Sequence, residues 1–340
     1  MIRPRLLVSV PPLVALVALV SLVALVSLVA CGDESPDPVP GGPTDLQPDG
    51  APVDPLDPDG GALSDGAVPP ADARVEDARV PPGSCGTPSP KTGFQASVSV
   101  RVGSATRTYA LSVPEGYDGT RLYPLVVGFH GDGGNGAGYR TSFAIESQPG
   151  ASEGAIFAWP NGTNNHNGHS FDQDHSPPTP NVDVAFFDAM TAAIKTTYCV
   201  DSKRVYAHGM SGGAYFVNQL GRWRGDVLRG IAPQSGGGPF GNGAGDFDPQ
   251  TGNLKLGVPV AAFIVHGASD TAVRLTEGQK SLAYWRLANK SGAGQTATAP
   301  SPCQRQNGGT KPVVFCTIAN MGHTIWTGAP AAIWQFFKEN

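Results

Sequence analysis

The sequence has little charge, few aromatic side chains and no excess of basic residues. Charged residues make up 15% and aromatic residues 8% of the 340 residues, and the net charge is −5. A domain without a basic excess has no electrostatic footprint for nucleic acid. No Cys-x-x-Cys or Cys-x-x-His spacing occurs, so the common structural zinc sites are not expected. These absences exclude a nucleic-acid-binding protein and a cysteine-ligated zinc module.

The negative charge is concentrated in one segment. Residues 33 to 84 contain 12 Asp and Glu but only Arg74 and Arg79, so the rest of the chain is close to neutral. Residues 32 to 84 are rich in Pro, Asp and Gly, and they have too few large apolar side chains to offset the entropy of ordering. We therefore expect a disordered linker over 32 to 84, followed by one globular domain over 85 to 340.

Residues 1 to 31 have the composition of an export leader. Arg3 and Arg5 precede a long apolar run that ends in Leu-Val-Ala-Cys at Cys31. This ending resembles the lipobox of bacterial lipoproteins, which implies that Cys31 carries a lipid. An uncleaved membrane anchor is the alternative, because the apolar run is long enough to span a bilayer. Both interpretations predict that the rest of the chain is exported, and we favour membrane attachment through the lipid alone.

Four further cysteines are available for disulfide bonds. An even number of cysteines in an exported domain favours disulfides over buried free thiols. Three pairings are possible. We favour Cys85 with Cys199, which would pin the start of the domain, and Cys303 with Cys316, which would close a hairpin-like segment.

From residue 85 onwards, predicted strands alternate with predicted helices. Several strands are continuous apolar runs, which is typical of strands buried on both faces. The alternation predicts an α/β fold with a mostly parallel sheet and helices on both faces. The predicted strands cover 97–102, 107–113, 123–129, 155–160, 204–207, 228–233, 258–265 and 312–319, and the predicted helices cover 182–198, 214–220, 276–288 and 329–338.

A Gly-x-Ser-x-Gly motif centred on Ser211 lies between a predicted strand and a predicted helix. This context is typical of a nucleophile elbow, a sharp turn that lifts a serine hydroxyl above a sheet. Glycines at the flanking positions fit because the turn leaves no room for Cβ atoms. The motif alone is a weak signal in a chain with 45 glycines, and Ser211 as a simple helix cap is the alternative.

Two other candidate catalytic groups directly follow later strands. Asp270 follows the strand predicted over 258–265, and His323 follows the last predicted strand. Ligands of such sheets bind beyond the carboxyl ends of the strands, and the chain order Ser, Asp, His is that of α/β-hydrolases. A neutral imidazole activates the serine by accepting its proton, and a carboxylate fixes the imidazole tautomer. Asp246 or Asp248 is the alternative acid, and His266 is the alternative histidine.

A glycine-rich loop, His-Gly-Asp-Gly-Gly, follows the strand predicted over 123–129. Backbone N–H groups must stabilise the oxyanion that forms during acyl transfer. We expect these donors to be the Gly212 amide and the amide of Gly131 or Asp132. Candidate substrate contacts are His130, Phe240 and Trp326.

The loop before residue 182 is rich in histidine and aspartate. Such side chains could bind a metal ion, but no predicted helix or strand fixes them, so we expect a solvated loop, no metal and no cofactor. Its members are His166, His169, Asp172, Asp174 and His175.

Four blocks of the sequence resemble one enzyme family. His-Gly-Asp-Gly-Gly, Gly-Met-Ser-Gly-Gly, His-Gly-Ala-Ser-Asp and Gly-His-Thr-Ile-Trp are similar to the blocks of the bacterial polyhydroxybutyrate depolymerase-like and feruloyl esterase group, within carbohydrate esterase family one. The resemblance covers nearly all of 85 to 340. It implies an α/β-hydrolase fold and a serine esterase with the triad Ser211, Asp270 and His323.

The expected function is hydrolysis of carboxylic esters through an acyl-enzyme by an exported monomer. The resemblance implies feruloyl or acetyl esters of plant polysaccharide as substrates. A short-chain polyhydroxyalkanoate depolymerase is one alternative, and a catalytically inactive, lipid-anchored carbohydrate-binding protein is another.

Overall fold

The computed structural model describes residues 85–86, 91–165, 168–173, 180–239, 243–255 and 257–340. The expected leader, the lipidation site Cys31 and the linker over 32 to 84 lie outside the described residues. Within the described part of the chain, no helix has both the length and the apolar character needed to cross a bilayer.

The described residues form strands and helices in an alternating order. All the predicted strands and helices are present, with boundaries that differ by up to four residues. The strands are β1 (Gly93–Val102), β2 (Ala105–Val113), β3 (Tyr123–Phe129), β4 (Ile156–Pro160), β5 (Thr163–Asn165), β6 (Gly168–Ser170), β7 (Val200–Met210), β8 (Gly230–Gln234), β9 (Ala261–Gly267), β10 (Ser291–Ala297), β11 (Cys303–Gly308) and β12 (Val313–Ile318). The helices are α1 (Gly136–Phe143), α2 (Ala151–Gly154), α3 (Val182–Thr197), α4 (Gly212–Trp223), α5 (Gly243–Asp246), α6 (Leu275–Ala288) and α7 (Ala329–Glu339).

Ten strands form one sheet in the order β1-β2-β4-β3-β7-β8-β9-β12-β11-β10. The six central strands, β4, β3, β7, β8, β9 and β12, run parallel. The strands outside them on each side pair antiparallel. The predicted α/β fold with a mostly parallel sheet is confirmed. Because the carboxyl ends of parallel strands meet at one edge, the loops after β3, β7, β9 and β12 lie together there.

Apolar side chains cover both faces of the sheet. Successive residues of β3 point in opposite directions, so Leu125 joins the core with α3, α4 and α6, whereas Val126 joins the core with α1 and α7. Every residue of β4, β8 and β9 is buried. Helices on both faces therefore protect the central strands from solvent, which explains their continuous apolar sequences.

Two disulfide bonds join the four cysteines of the domain. Cys85 bonds to Cys199, between α3 and β7, and Cys303 bonds to Cys316, its register partner across the β11–β12 pair. These are the two pairs that the sequence analysis favoured. Such bonds fit an extracellular protein, because they persist in oxidising compartments.

Candidate active site

Ser211 lies in the turn between β7 and α4 with a left-handed backbone, φ 56° and ψ −124°. Positive φ is uncommon for a residue with a side chain and marks local strain. The Ser211 side chain makes no capping hydrogen bond to the helix. The geometry is therefore that of a strained strand-to-helix turn with a partly exposed serine, and not that of a helix cap.

The glycines on either side of the turn have no room for a Cβ atom. A Cβ atom on Gly209 would lie 2.5 Å from the Gly213 carbonyl oxygen, and a Cβ atom on Gly213 would lie 2.5 Å from the His130 carbonyl oxygen. The second contact is with the backbone that follows β3. Close packing of three backbone segments thus fixes the position of Ser211.

The structure brings Ser211, His323 and Asp270 into one hydrogen-bonded chain. His323 Nε2 lies 2.8 Å from Ser211 Oγ, and His323 Nδ1 lies 2.8 Å from Asp270 Oδ2. With Nδ1 protonated, His323 donates to the carboxylate, and Nε2 accepts from the serine hydroxyl. The imidazole is about one quarter exposed and the carboxylate is wholly buried. This arrangement can transfer the serine proton to the histidine.

Backbone donors hold the Asp270 carboxylate in a fixed orientation. Its Oδ1 accepts hydrogen bonds from the N–H groups of Ala272 and Val273, at 3.0 Å and 2.9 Å. The other oxygen is then directed to His323. A buried carboxylate held in this way stabilises an imidazolium without competing side-chain orientations.

The alternative acids are used elsewhere in the fold. Asp246 is buried and forms an ion pair with Arg222, and it accepts a hydrogen bond from Tyr284 Oη. Asp248 accepts hydrogen bonds from backbone N–H groups in its own turn. Neither is hydrogen-bonded to His323, and the carboxylate that His323 Nδ1 contacts is that of Asp270.

The alternative histidine, His266, has no exposed surface and its Nε2 donates to the Val273 carbonyl oxygen, at 2.9 Å. Its Nε2 also lies 3.8 Å from Asp270 Oδ2. It therefore supports the turn that carries the acid but does not reach the serine.

The expected oxyanion-hole residues meet beside the nucleophile. A Cβ atom on Gly131 would lie 3.2 Å from Ser211 Cβ, and a Cβ atom on Gly212 would overlap Asp132 Oδ1. The glycine-rich loop thus passes directly over the first residue of α4. The N-terminus of this helix of 12 residues also favours developing negative charge.

His130 is not available for substrate binding, contrary to the sequence-based expectation. The ring is 2% exposed and packs on Phe171. Its Nδ1 donates to the Gly131 carbonyl oxygen at 2.7 Å, and its Nε2 accepts from the Gly162 N–H at 2.9 Å. Burial lowers the pKa of His130 from its ordinary value, which keeps the ring neutral. The ring holds the glycine-rich loop in place.

The remaining candidates are only partly described. Phe240, His166, Asp174 and His175 lie outside the described residues. Trp326 is half-buried and packs against the core beside α7, so its role as a substrate contact stays a prediction.

In the histidine-rich loop, backbone groups of two described members form hydrogen bonds with other segments. The His169 carbonyl oxygen accepts from the Gly133 N–H, and the Asp172 N–H donates to Asp183 Oδ2. Among the residues that the structure describes, no three His, Cys, Asp or Glu side chains form a metal-binding group.

Gln173 is a site residue that the sequence analysis missed. Its Nε2 lies 3.4 Å from Asp132 Oδ1 and would lie 2.9 Å from a Cβ atom on Gly212. Gln219 Nε2 in α4 donates to the Gln173 carbonyl oxygen, at 3.1 Å. A carboxamide thus lies at the rim of the oxyanion hole. Its loop has no helical or strand periodicity, so the sequence contained no signal for it.

Comparison with known proteins identifies several relatives, although no family model matches the chain. Feruloyl esterase C of Emericella nidulans is 29% identical over 274 residues, which cover 74% of this chain and 92% of that protein. The Probable feruloyl esterase C of Aspergillus niger is 29% identical over 254 residues, which cover 68% of this chain and 83% of that protein. Among solved structures, an acetyl xylan esterase from Aspergillus awamori aligns with a TM-score of 0.55 and 20% identity, over 72% of this chain and 99% of that chain.

Proposed function

Because the chain is an α/β-hydrolase homologous to feruloyl esterases, we propose that it hydrolyses feruloyl or acetyl esters of plant polysaccharide through an acyl-enzyme on Ser211. The chain is a carboxylic-ester hydrolase on the same grounds. The observation that carries the proposed mechanism is the hydrogen-bonded chain from Ser211 through His323 to Asp270. The substrate class follows from the relatives, whose names specify feruloyl esters.

In the first step, Ser211 Oγ attacks the ester carbonyl carbon while its proton passes to His323 Nε2. The carbonyl π electrons move to the oxygen, and the N–H groups of Gly212 and of the glycine-rich loop stabilise that oxyanion. Asp270 stabilises the imidazolium. The tetrahedral intermediate then collapses, the bond to the alcohol oxygen breaks, and His323 gives its proton to the departing alcohol.

In the second step, water replaces the alcohol. His323 removes a proton from the water as its oxygen attacks the acyl carbon, and the bond to Ser211 Oγ breaks with return of the proton to the serine. The free carboxylic acid leaves and the enzyme is restored. The partly exposed imidazole allows both water and a polymer-linked alcohol to reach the reacting centre.

The specificity constants for methyl ferulate, acetylated xylan and hydroxybutyrate oligomers test this function. We expect kcat/KM to be highest for one of the first two substrates. A preference for the oligomers would instead identify a polyhydroxyalkanoate depolymerase. Absence of turnover with these esters and with p-nitrophenyl acetate, together with binding of polysaccharide, would instead support the inactive carbohydrate-binding alternative.

We also propose that the domain is exported and held at the cell envelope by a lipid on Cys31, with residues 32 to 84 as the tether. The two disulfide bonds support an extracellular location. Labelling with a clickable palmitate analogue tests the anchor. The full chain should take up the label and the Cys31→Ala variant should not, whereas unlabelled membrane-bound full chain would identify an uncleaved anchor.

A further inference from the structure

Gln234 is a wholly buried residue at the carboxyl end of β8, between the strand that precedes the nucleophile and the strand that precedes the acid. It is the register partner of Met210 in β7 and of Val265 in β9. Its position in the sheet is therefore fixed on both sides by parallel strands. The Gln234 side chain is therefore attached to a rigid part of the backbone.

Gln234 forms hydrogen bonds to the main chain of Ser211 and to the main chain of the residue after His323. The Gln234 carbonyl oxygen accepts a hydrogen bond from the Ser211 N–H, at 3.0 Å. Its side-chain Nε2 donates to the Thr324 carbonyl oxygen, also at 3.0 Å. Thr324 directly follows His323. The nucleophile is thus joined to Gln234 through the main chain, and the histidine loop is joined to it through the amide.

The histidine loop follows β12 and has hydrogen bonds on both sides of His323. On one side, the Met321 carbonyl oxygen accepts from the Ser269 N–H, at 3.0 Å. On the other side, the Thr324 carbonyl oxygen accepts from Gln234. The first bond ties the loop to the acid-bearing segment and the second ties it to the nucleophile. Removal of the second bond would leave the histidine attached mainly to its acid.

The Gln234 amide is poorly suited to a role in stability alone. Its Oε1 is buried and has no protein hydrogen-bond partner within the described ranges. An unsatisfied buried oxygen destabilises the folded state by an amount similar to what a single hydrogen bond contributes. Buried polar atoms of this kind are uncommon, and the donor end of the same amide binds the histidine loop.

We propose that Gln234 is a positioning residue that holds His323 Nε2 within hydrogen-bonding distance of Ser211 Oγ. The amide acts through the Thr324 carbonyl and does not contact the reacting atoms. The inference rests on the proposed function, because it takes His323 as the base that activates Ser211.

The Gln234→Met variant tests this inference, because methionine matches the length of glutamine but has no donor. We expect kcat to fall about 10- to 100-fold, the effect of a small displacement of a catalytic group, with KM unchanged. The melting temperature should change little, since the variant removes one side-chain hydrogen bond, to the carbonyl of the exposed residue Thr324. The matched control is Gln306→Met, a similarly buried glutamine in β11, which should retain the wild-type kcat.

A second measurement separates this inference from the choice of substrate. A fluorophosphonate probe labels an activated serine whatever the natural ester, and its labelling rate at Ser211 should fall in Gln234→Met by about the same factor as kcat. If the wild type is labelled but hydrolyses none of the tested esters, the proposed substrate class fails, and the labelling rates still decide the role of Gln234. If the wild type is not labelled, both proposals are wrong.

The inference is overturned if Gln234→Met keeps both the kcat and the labelling rate of the wild type. It is also overturned if activity falls only in proportion to the folded fraction. Should Gln234→Met fail to fold, Gln234→Asn keeps an amide on a chain shorter by one methylene. Folded Gln234→Asn should show the same loss of kcat at constant KM, and a wild-type kcat in that variant would contradict the positioning role.

Discussion

The backbone around Ser211 and the backbone around His323 are fixed by different physical means, although the two side chains touch. Steric exclusion fixes the serine, because Gly209 and Gly213 pack against neighbouring backbone with no room for a Cβ atom. Hydrogen bonds fix the histidine loop, and they join it to Asp270, Ser269 and Gln234 in other segments of the chain.

The two regions should therefore respond differently to substitution. Overlap with a neighbouring backbone cannot be relieved by small side-chain movements, so substitutions of the glycines beside the serine should act on folding. A loop held by single hydrogen bonds can shift by a fraction of an ångström, so changes near the histidine should act on rate. The following predictions test this division, in order of decreasing effect.

Ser211→Ala should lower kcat by about 10⁴-fold or more, because the nucleophile is lost. The melting temperature should remain nearly unchanged, since the elbow is fixed by its glycines. Steady-state hydrolysis of p-nitrophenyl acetate and thermal denaturation measure the two effects. Ser235→Ala is the matched control, because Ser235 also has a positive φ, of 50°, and is buried away from His323, and it should keep wild-type activity. Retained hydrolysis in Ser211→Ala would remove Ser211 from the mechanism.

Asp270→Asn should lower kcat by about 10³- to 10⁴-fold, because an amide donor beside Nδ1 favours the wrong histidine tautomer. The matched substitution Asp246→Asn should instead act on stability. It weakens the buried ion pair with Arg222 and should lower the free energy of unfolding by about 3 kcal/mol. Urea unfolding and kinetics on both variants distinguish the effects, and a reversed pattern would make Asp246 the acid.

Gly213→Ala should lower the free energy of unfolding by about 3 kcal/mol, because the added methyl group would overlap the backbone carbonyl oxygens of Phe129 and His130. Gly116→Ala is the control, since a Cβ atom there meets nothing within 4 Å. Urea denaturation at neutral pH measures both. Equal stability of the two variants would show that sterics do not fix the elbow.

His208, three residues before Ser211, should make stability depend on pH. Burial lowers its pKa from 6.5 to about 3, so between those values the unfolded chain binds a proton that the folded chain does not. Its contribution to stability is present above pH 6.5 and is lost towards pH 3, by up to about 1.4 kcal/mol per pH unit.

Urea unfolding at several pH values measures this slope. The slope should be shallower in His208→Gln, whereas His169→Gln, at an exposed position, should match the wild type. Identical slopes in all three proteins would show that His208 does not contribute.

The sequence contained enough information for the fold and for the three residues that meet at the site. Continuous apolar runs predicted the central strands because burial on both faces leaves little choice of residue. Ser211 directly follows β7, and Asp270 and His323 lie in the loops after β9 and β12, so topology places them at one edge. Local signals were sufficient where local sterics decide the structure.

The missed features depend on distant partners or on weak local patterns. The role of His130 depends on the Gly162 N–H, 32 residues away, so the motif alone suggested a substrate contact. Strand β10 is a solvent-exposed edge of small and polar residues without apolar alternation. Helix α1 begins at a glycine and is fixed by the Asn135 cap. Gln173 and Gln234 act through side-chain amides that no periodicity reveals.

The buried ion pair between Arg107 in β2 and Asp183 in α3 also holds the segment that leads from β4 to α3. Arg107 donates to the Asn161 carbonyl oxygen, and Asp183 accepts from the Asp172 N–H. Both anchors belong to the scaffold and lie apart from the hydrogen-bonded chain of Ser211. An exchange of the intervening segment by recombination would therefore have to retain the Gly162 N–H and the His169 carbonyl, which bind His130 and Gly133, if the glycine-rich loop is to keep its place beside the nucleophile.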